Sequence, residues 1–376
     1  MKDTLVFLII PPLARTSESK VALGFMKLFK EVGFSDLYGV YFKIPDVSIE
    51  SLEKDFPEYF QIVKSSKIKL IKGPIFSGIL DDIILKIMKT VKHIDLMVNL
   101  YYTEIPVGLD LSYVIYPSFI FTNKEQIRRK YKSISKVYFD FNYKILSKLV
   151  KSKKLVCSSK YIRELVKNTI GQECDIVYPP ILEDREIINA DYNKENLVVG
   201  VGKFVEPKHW DEFIQIAKIV KEKRRDVEFK IIGGLNEARS SKSYFKILQE
   251  MAKGAVELLT DVPEKEKWEI LKRARVVLHC MRNDNVSLGV AEAMSVGAVP
   301  VAYKSTGSWM DILEEGKLGF AYSSVEEGAK YVLNLIENYD LYYKMKNLSL
   351  NKAKEFTYAV FKSKVLPVMN ALLDSK

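Results

Sequence analysis

The chain has 376 residues, enough for two or three domains with their own cores at roughly 150 residues per domain. Its residues are 48% hydrophobic and 28% charged, which excludes collagen-like, disordered and disulfide-scaffold proteins. The net charge of +10 is uneven, because residues 124–167 hold fourteen Lys and Arg against three Asp and Glu. The excess charge therefore belongs to one segment and indicates an anionic partner for it.

Short apolar runs rich in Val and Ile alternate with longer segments of helical period, a pattern typical of parallel sheets with crossover helices. The first run, residues 5–10, ends at Pro11-Pro12 and is too short for a signal peptide, so it predicts a buried strand. No run reaches the roughly 18 apolar residues that span a bilayer, so we expect only peripheral membrane association. The other strands predicted in the first half are residues 37–42, 95–100, 113–116, 155–157 and 176–178.

The second half repeats this pattern, with helices predicted at 212–223 and 325–336. Its predicted strands are residues 197–201, 227–232, 256–259, 276–279 and 299–302. The charged stretch 183–196 follows Pro179-Pro180 and is typical of a linker. We therefore expect an α/β protein with two Rossmann-like doubly wound domains, residues 1–185 and 190–355, facing each other across a cleft.

The three cysteines, Cys157, Cys174 and Cys280, are odd in number and lack a Cys-x-x-Cys spacing. They therefore predict neither a disulfide framework nor a zinc ribbon, and they favour a reduced, cytoplasmic compartment.

Two lysines follow the strand predicted at 197–201. Lys203 and Lys208 lie where a strand gives way to a helix, and two ammonium groups there suit the binding of a diphosphate. Solvated surface lysines remain an equal alternative.

A second cluster follows the strand predicted at 276–279. Asp284 lies in the loop and Glu292 in the next helix, so one carboxylate can face a sugar and the other a ribose. The first amides of that helix, those of Ser287, Leu288 and Gly289, lack acceptors within the helix and suit an anion. A capped helix with one buried glutamate is the alternative.

The basic segment contains apolar residues at spacings of three and four between residues 127 and 149, which predicts an amphipathic helix. Its charged residues lie off the apolar stripe, so they form either a solvated face or a surface for anionic lipid or a lipid-linked diphosphate acceptor. We expect no nucleic-acid partner, because no recognition motif is present. The residues assigned to this basic patch are Arg128, Arg129, Lys130, Lys132 and Lys136.

The motifs of the second half resemble the family-4 retaining glycosyltransferases of the GT-B fold. The resemblance rests on Gly202-Lys203 with Lys208, on Asp284 and Glu292 with seven residues between them, and on the Glu-Ala-Met-Ser-Val-Gly that begins at Glu292. Four further segments resemble the subgroup of α-1,2-mannosyltransferases that extend lipid-linked oligosaccharide. They are residues 113–118, 177–180, 279–284 and 302–312.

The resemblance implies transfer of mannose or another hexose, with retention, from a GDP- or UDP-sugar to a glycan or lipid-linked glycan. It assigns Lys203 and Lys208 to the donor diphosphate, Asp284 to the donor sugar and Glu292 to the ribose. Gly202, Gly233 and Val262 are further candidates for the donor site. It also implies that a C-terminal helix, residues 356–376, packs back on the first domain, and that neither a cofactor nor a metal is needed.

Several positions depart from the family pattern. Lys203 replaces the usual Arg, Ile115 replaces a His, and residues 14–19 lack the expected Gly-rich loop. The alternatives are therefore a catalytically weak protein that binds sugar nucleotide or lipid-glycan, and a glycosyltransferase with a soluble or protein acceptor. The main hypothesis is an enzyme in the cytoplasm, peripheral on the cytoplasmic face of a membrane.

Overall fold

The computed structural model places the chain in two compact units, residues 1–180 with 361–376 and residues 181–360. The second unit is continuous in sequence, whereas the first is closed by the last residues of the chain. The structure describes residues 4–11, 13, 16–34, 36–41, 53, 57–72, 79–101, 109–116, 154–182, 192–235 and 239–375.

The first unit is built on a seven-stranded parallel sheet with strand order β3-β2-β1-β4-β5-β6-β7. The interior strand β1 is the predicted first strand, and all but its first residue are buried. The strands are β1 Leu5–Ile10, β2 Asp36–Tyr41, β3 Lys69–Lys72, β4 Leu96–Asn99, β5 Leu111–Val114, β6 Lys154–Cys157 and β7 Asp175–Ile176.

Two helices of this unit, α1 and α4, begin and end at conventional capping residues. Thr16 accepts a hydrogen bond from an amide of the first turn of α1, and Gly33 ends that helix in the left-handed conformation. The helices are α1 Ser17–Val32, α2 Pro57–Ser66, α3 Ile79–Val91 and α4 Lys160–Ile170, with Phe361–Asp374 of the last helix. In that last helix, Phe361 packs edge-on against Phe25 with ring centroids 5.3 Å apart.

A disulfide joins Cys157 and Cys174, whose Cα atoms are 5.7 Å apart, so the prediction of no disulfide is wrong for this pair. Cys157 ends β6 and Cys174 precedes β7, and the two strands pair in parallel. The intervening helix α4 returns the chain, which brings together two cysteines whose sequence spacing gives no sign of it. The cysteines therefore do not indicate a reduced compartment. Cys280 is free and buried.

The second unit has a six-stranded parallel sheet with strand order β10-β9-β8-β11-β12-β13. The strands are β8 Leu197–Val201, β9 Glu228–Gly233, β10 Glu257–Thr260, β11 Val276–His279, β12 Val299–Tyr303 and β13 Phe320–Tyr322. The helices are α5 Trp210–Lys223, α6 Arg239–Ala252, α7 Glu264–Arg273, α8 Leu288–Ser295, α9 Val325–Glu337, α10 Tyr339–Ala353 and α11 Tyr358–Asp374, which continues into the first unit.

The core of this unit lies between the sheet and its helices. Trp210 and Phe213 of α5 are fully buried, and their rings fill the space beside Gly200 of β8. The expected α/β class with two doubly wound sheets is confirmed. The strands β3 and β13, each at an edge of its sheet, were not predicted. Among the described helices, none is long and apolar enough to cross a membrane.

Half-buried Lys194 and buried Lys346 lie beside Gly297, just after the end of α8. Carbons of Lys194 and Lys346 both approach the position that a Gly297 side chain would occupy. The Lys194 ammonium nitrogen is buried and, within the described part of the chain, makes no hydrogen bond. Burial, with the like charge of Lys346, lowers the pKa of Lys194 to about 7.

Replacing Lys194 with methionine is therefore expected to stabilise the protein at pH 7 and to flatten its pH dependence. Unfolding restores the pKa of this lysine to roughly 10.4. Between about pH 7 and pH 10 the unfolded chain therefore binds more protons than the folded chain does. The native free energy of unfolding should consequently rise with pH across that window. Melting temperatures from pH 6.5 to 9.5 test this, with Lys330→Met as the exposed control. An equal pH slope in Lys194→Met and the native protein would contradict it.

Candidate functional site

The carboxyl ends of β8, β11 and β12 meet at one edge of the second sheet. The segment after β8 begins with Gly202, whose amide donates to the carbonyl of Ile232 at 2.9 Å. A Cβ atom on Gly233 would overlap the carbonyl oxygen of Gly202, so glycine is required there. The predicted donor-site residues Gly202 and Gly233 thus lie against each other at the ends of two adjacent strands.

Lys203 and Lys208 lie on either side of a short turn at this edge. Buried Phe204 anchors the turn, and the carbonyl of Lys203 accepts from the indole nitrogen of Trp210 at 2.9 Å. The side chain of Lys203 is exposed, whereas that of Lys208 lies across Gly202, with its Cε 3.0 Å from the position of a Gly202 Cβ. Both ammonium groups therefore extend from the end of β8.

The helix α8 begins at the same edge. Ser287 precedes it with non-helical backbone angles and forms no side-chain cap, so its first amides lack the usual acceptor. Gly289 lies against the end of β8, since a Cβ atom there would come within 2.7 Å of Val201 Cγ1. The amides of Ser287, Leu288 and Gly289 are thus placed beside the turn that carries the two lysines.

Asp284 is buried in the loop that connects β11 to α8. Its carboxylate accepts from His279 Nε2 at 2.8 Å and from the Ser308 hydroxyl at 3.4 Å. Burial alone would raise the pKa of Asp284, but the charges of His279 and Lys208 outweigh it and lower that pKa below its ordinary value. The carboxylate is therefore ionised at neutral pH, and its electrostatic interaction with Lys208 links this loop to the lysine turn.

The main chain of Asp284 also holds the polar loop after β12. Its carbonyl accepts from the Thr306 hydroxyl at 2.7 Å and from the Gly307 amide at 2.9 Å. A Cβ atom on Gly307 would overlap the carbonyl of Asn285, so the two loops touch through their backbones. Asp284 therefore has an observed role, which is to join two loops at the sheet edge.

Glu292 lies in α8, 3% exposed, and faces helix α7. Its carboxylate accepts from the Lys267 ammonium at 2.9 Å, and Lys267 also pairs with Glu264. The two carboxylates thus share one buried lysine. A charge so enclosed needs this pairing, because an unpaired buried carboxylate is strongly destabilising.

The remaining candidates lie elsewhere or cannot be placed. Val262 follows β10, two strands away from β8, and is half-buried. Nearby, the Asp261 carboxylate accepts from the Leu235 amide at 3.3 Å. The basic patch lies outside the described residues. Across the described part of the chain, no group of three or more His, Cys, Asp or Glu could hold a metal ion.

Sequence reasoning gave no role to four residues that contact this site. His279 and Ser308 bind Asp284, and Lys267 binds Glu292. Arg282, two residues before Asp284, contacts His209, the residue that follows Lys208. Lys267 lies on a different helix, 25 residues before Glu292, so no local pattern reveals it. His279 and Arg282 lie within the segment 279–284 and Ser308 within the segment 302–312, so these three carried a local signal.

Two doubly wound domains in one chain define the GT-B fold. The solved structure of Anabaena Alr3699/HepE in complex with UDP and glucose has this fold in common with the chain. The TM-score is 0.67 at 13% identity, and the match covers 98% of this chain and 99% of that chain.

Residues 183–352, which include the candidate site, match the family described as glycosyl transferases group 1. Two curated relatives are both named GDP-Man:Man(3)GlcNAc(2)-PP-Dol alpha-1,2-mannosyltransferase. The Dictyostelium discoideum protein is 24% identical over 68% of this chain and 55% of its own length. The Xenopus tropicalis protein is 30% identical over 42% of this chain and 35% of its own length. The chain therefore spans about half the length of the first relative, and the expected resemblance is confirmed at low identity.

Proposed function

We propose that this protein is a retaining glycosyltransferase that moves a hexose from a nucleoside-diphosphate sugar, with GDP-mannose as the first candidate. The observation that carries the proposal is the meeting of Lys203, Lys208 and the first amides of α8 at one sheet edge. Cations and a helix start are the groups that favour a diphosphate. The names of the relatives include GDP-Man, which favours mannose as the donor sugar and guanine as the base of the nucleotide.

In this proposal the bond between the sugar C1 and the diphosphate oxygen breaks, and a bond from C1 to an acceptor oxygen forms. The nucleoside diphosphate leaves with the added negative charge, and the proton of the acceptor hydroxyl passes to solvent. Lys203, Lys208 and the amides of Ser287, Leu288 and Gly289 stabilise that charge as it develops. The ionised Asp284 accepts a hydrogen bond from a sugar hydroxyl, and Glu292 accepts from the ribose.

We further propose a lipid-linked glycan as the acceptor and an anionic membrane surface as the partner of the basic patch. The relatives' names include a PP-Dol acceptor, and residues 124–167 carry the excess positive charge of the chain. Anionic headgroups attract such segments, and salt weakens the attraction. Cosedimentation with anionic vesicles at low salt tests this part, and recovery of the protein only in the supernatant would contradict it.

A thermal-shift comparison of GDP, UDP and ADP, with and without their sugars, tests the donor. A ligand that binds only the folded protein at about 100 times its Kd adds about 2.7 kcal/mol of stability. We expect GDP and GDP-mannose to raise the melting temperature by about 5 °C or more, and ADP to leave it unchanged. Transfer of labelled mannose to lipid-linked and soluble acceptors then separates an enzyme from a binding protein. A protein that responds to no nucleotide would contradict the proposal.

A further inference from the structure

Arg282 lies in the loop after β11 and makes three contacts with other elements. Its Nη1 atom lies 2.7 Å from His209 Nδ1, and its Nη2 atom donates to the carboxylate of Glu212 in α5. The guanidinium carbon lies 4.5 Å from the ring centroid of Tyr303 at the end of β12. The planar guanidinium is therefore held on two edges and one face, although its side chain is 39% exposed.

The contact with Arg282 determines the hydrogen-bonding role of Nδ1 in the His209 imidazole. A guanidinium has only donors, so Nδ1 of His209 must accept and cannot carry a proton. His209 adopts left-handed backbone angles, φ 51° and ψ 47°, which are unfavourable for a residue with a side chain. It follows Lys208 directly, and its carbonyl accepts from the Glu212 and Phe213 amides at the start of α5. The position of the Lys208 turn thus depends on the conformation of His209.

The other partner of Arg282 is itself anchored in the core. Glu212 is buried, and its second carboxylate oxygen accepts from the Tyr322 hydroxyl at 2.8 Å. Burial raises the pKa of Tyr322, and the charge of Glu212 adds to this effect, so the phenol remains a donor. A continuous chain of hydrogen bonds therefore runs from β13 through Glu212 and Arg282 to the residue beside Lys208.

We infer that Arg282 is a positioning residue for the donor diphosphate, because it fixes the turn that carries Lys208. The inference rests on the proposed function. Arg282 acts through His209 and Glu212, and the group that meets the phosphate is the Lys208 ammonium, already placed across Gly202. Arg282 should consequently matter for ligands that contain a diphosphate and not for the nucleoside part alone.

The test compares the binding of GDP and of guanosine to native protein and to Arg282→Gln. We expect the Kd for GDP to rise about tenfold while the Kd for guanosine changes less than twofold, measured by calorimetry for GDP and by NMR for guanosine. Arg282→Lys keeps the charge without the two-edged geometry, so we expect an intermediate loss of GDP affinity.

Arg282→Gln also leaves the buried Glu212 carboxylate without its cation, which lowers stability. The double variant Glu212→Gln, Arg282→Gln removes that charge, so its melting temperature should return towards the native value while GDP affinity stays low. Recovery of GDP affinity together with stability would show a merely structural role and overturn the inference, as would equal losses for GDP and guanosine. If native protein binds neither GDP nor UDP, the proposed function fails first and the inference falls with it.

Discussion

Replacing Lys208 with alanine should lower kcat/KM for GDP-mannose by about 100-fold. A charge-assisted contact to a phosphate contributes about 2–3 kcal/mol, and each 1.4 kcal/mol is a factor of ten. The loss should be large because Lys208 lies across Gly202 at the strand end, whereas the side chain of Lys203 extends into solvent. Initial rates over a range of donor concentrations measure the effect.

Lys218→Ala is the matched control for this variant, because Lys218 is exposed on α5 in the same unit and lies away from the sheet edge. The two variants remove the same charge, so only position distinguishes them. Equal rates in Lys208→Ala and Lys218→Ala would show that Lys208 does not contact the donor. Lys208→Arg should retain part of the activity, since the cation is preserved.

Glu292→Gln is expected to reduce donor binding and transfer by about 100-fold without unfolding the protein. The amide retains the shape of the side chain, and Lys267 keeps its second partner, Glu264. The loss follows from the ribose contact assigned to Glu292, because a buried polar group left without its partner costs about 1–3 kcal/mol. Calorimetric Kd values for GDP and transfer rates measure it.

Glu264→Gln provides the control, because both variants remove one of the two carboxylates that share Lys267. We expect Glu264→Gln to retain transfer within about threefold and to melt within a few degrees of Glu292→Gln. Equal loss of activity in the two variants would mean that the cluster serves the fold alone, and the assignment of Glu292 to the donor would be wrong.

Local sequence pattern was sufficient to predict much of the second unit. The strands β8 and β11 were predicted with their observed bounds, because their buried runs end at a glycine or at polar residues. Each pair of site residues was recognised because it lies within a single strand-loop-helix segment. The lysine pair follows β8, and Asp284 and Glu292 follow β11. The structure places the lysine pair and Asp284 in the loops after β8 and β11, which pair in parallel, and Glu292 in the helix that follows.

Local sequence pattern did not predict the charged and polar partners of those residues. Lys267 meets Glu292 from a different helix, and His279 meets Asp284 because the loop folds back on β11. The disulfide between Cys157 and Cys174 depends on the pairing of β6 with β7. Each of these contacts is a product of tertiary structure, so the residues show no periodicity that would identify them in advance.

The division of the chain has a consequence for its synthesis. The second unit, residues 181–360, is an insertion within the first, to which the helical residues Phe361–Asp374 also belong. A ribosome therefore releases a complete second unit before the first has all its parts, although domains generally fold in order from the N-terminus. Until residue 361 emerges, Phe25 packs against Phe29 and Tyr113 but lacks its third aromatic neighbour, Phe361. A chain that stopped before residue 361 would contain the whole second unit but would lack this helical segment of the first.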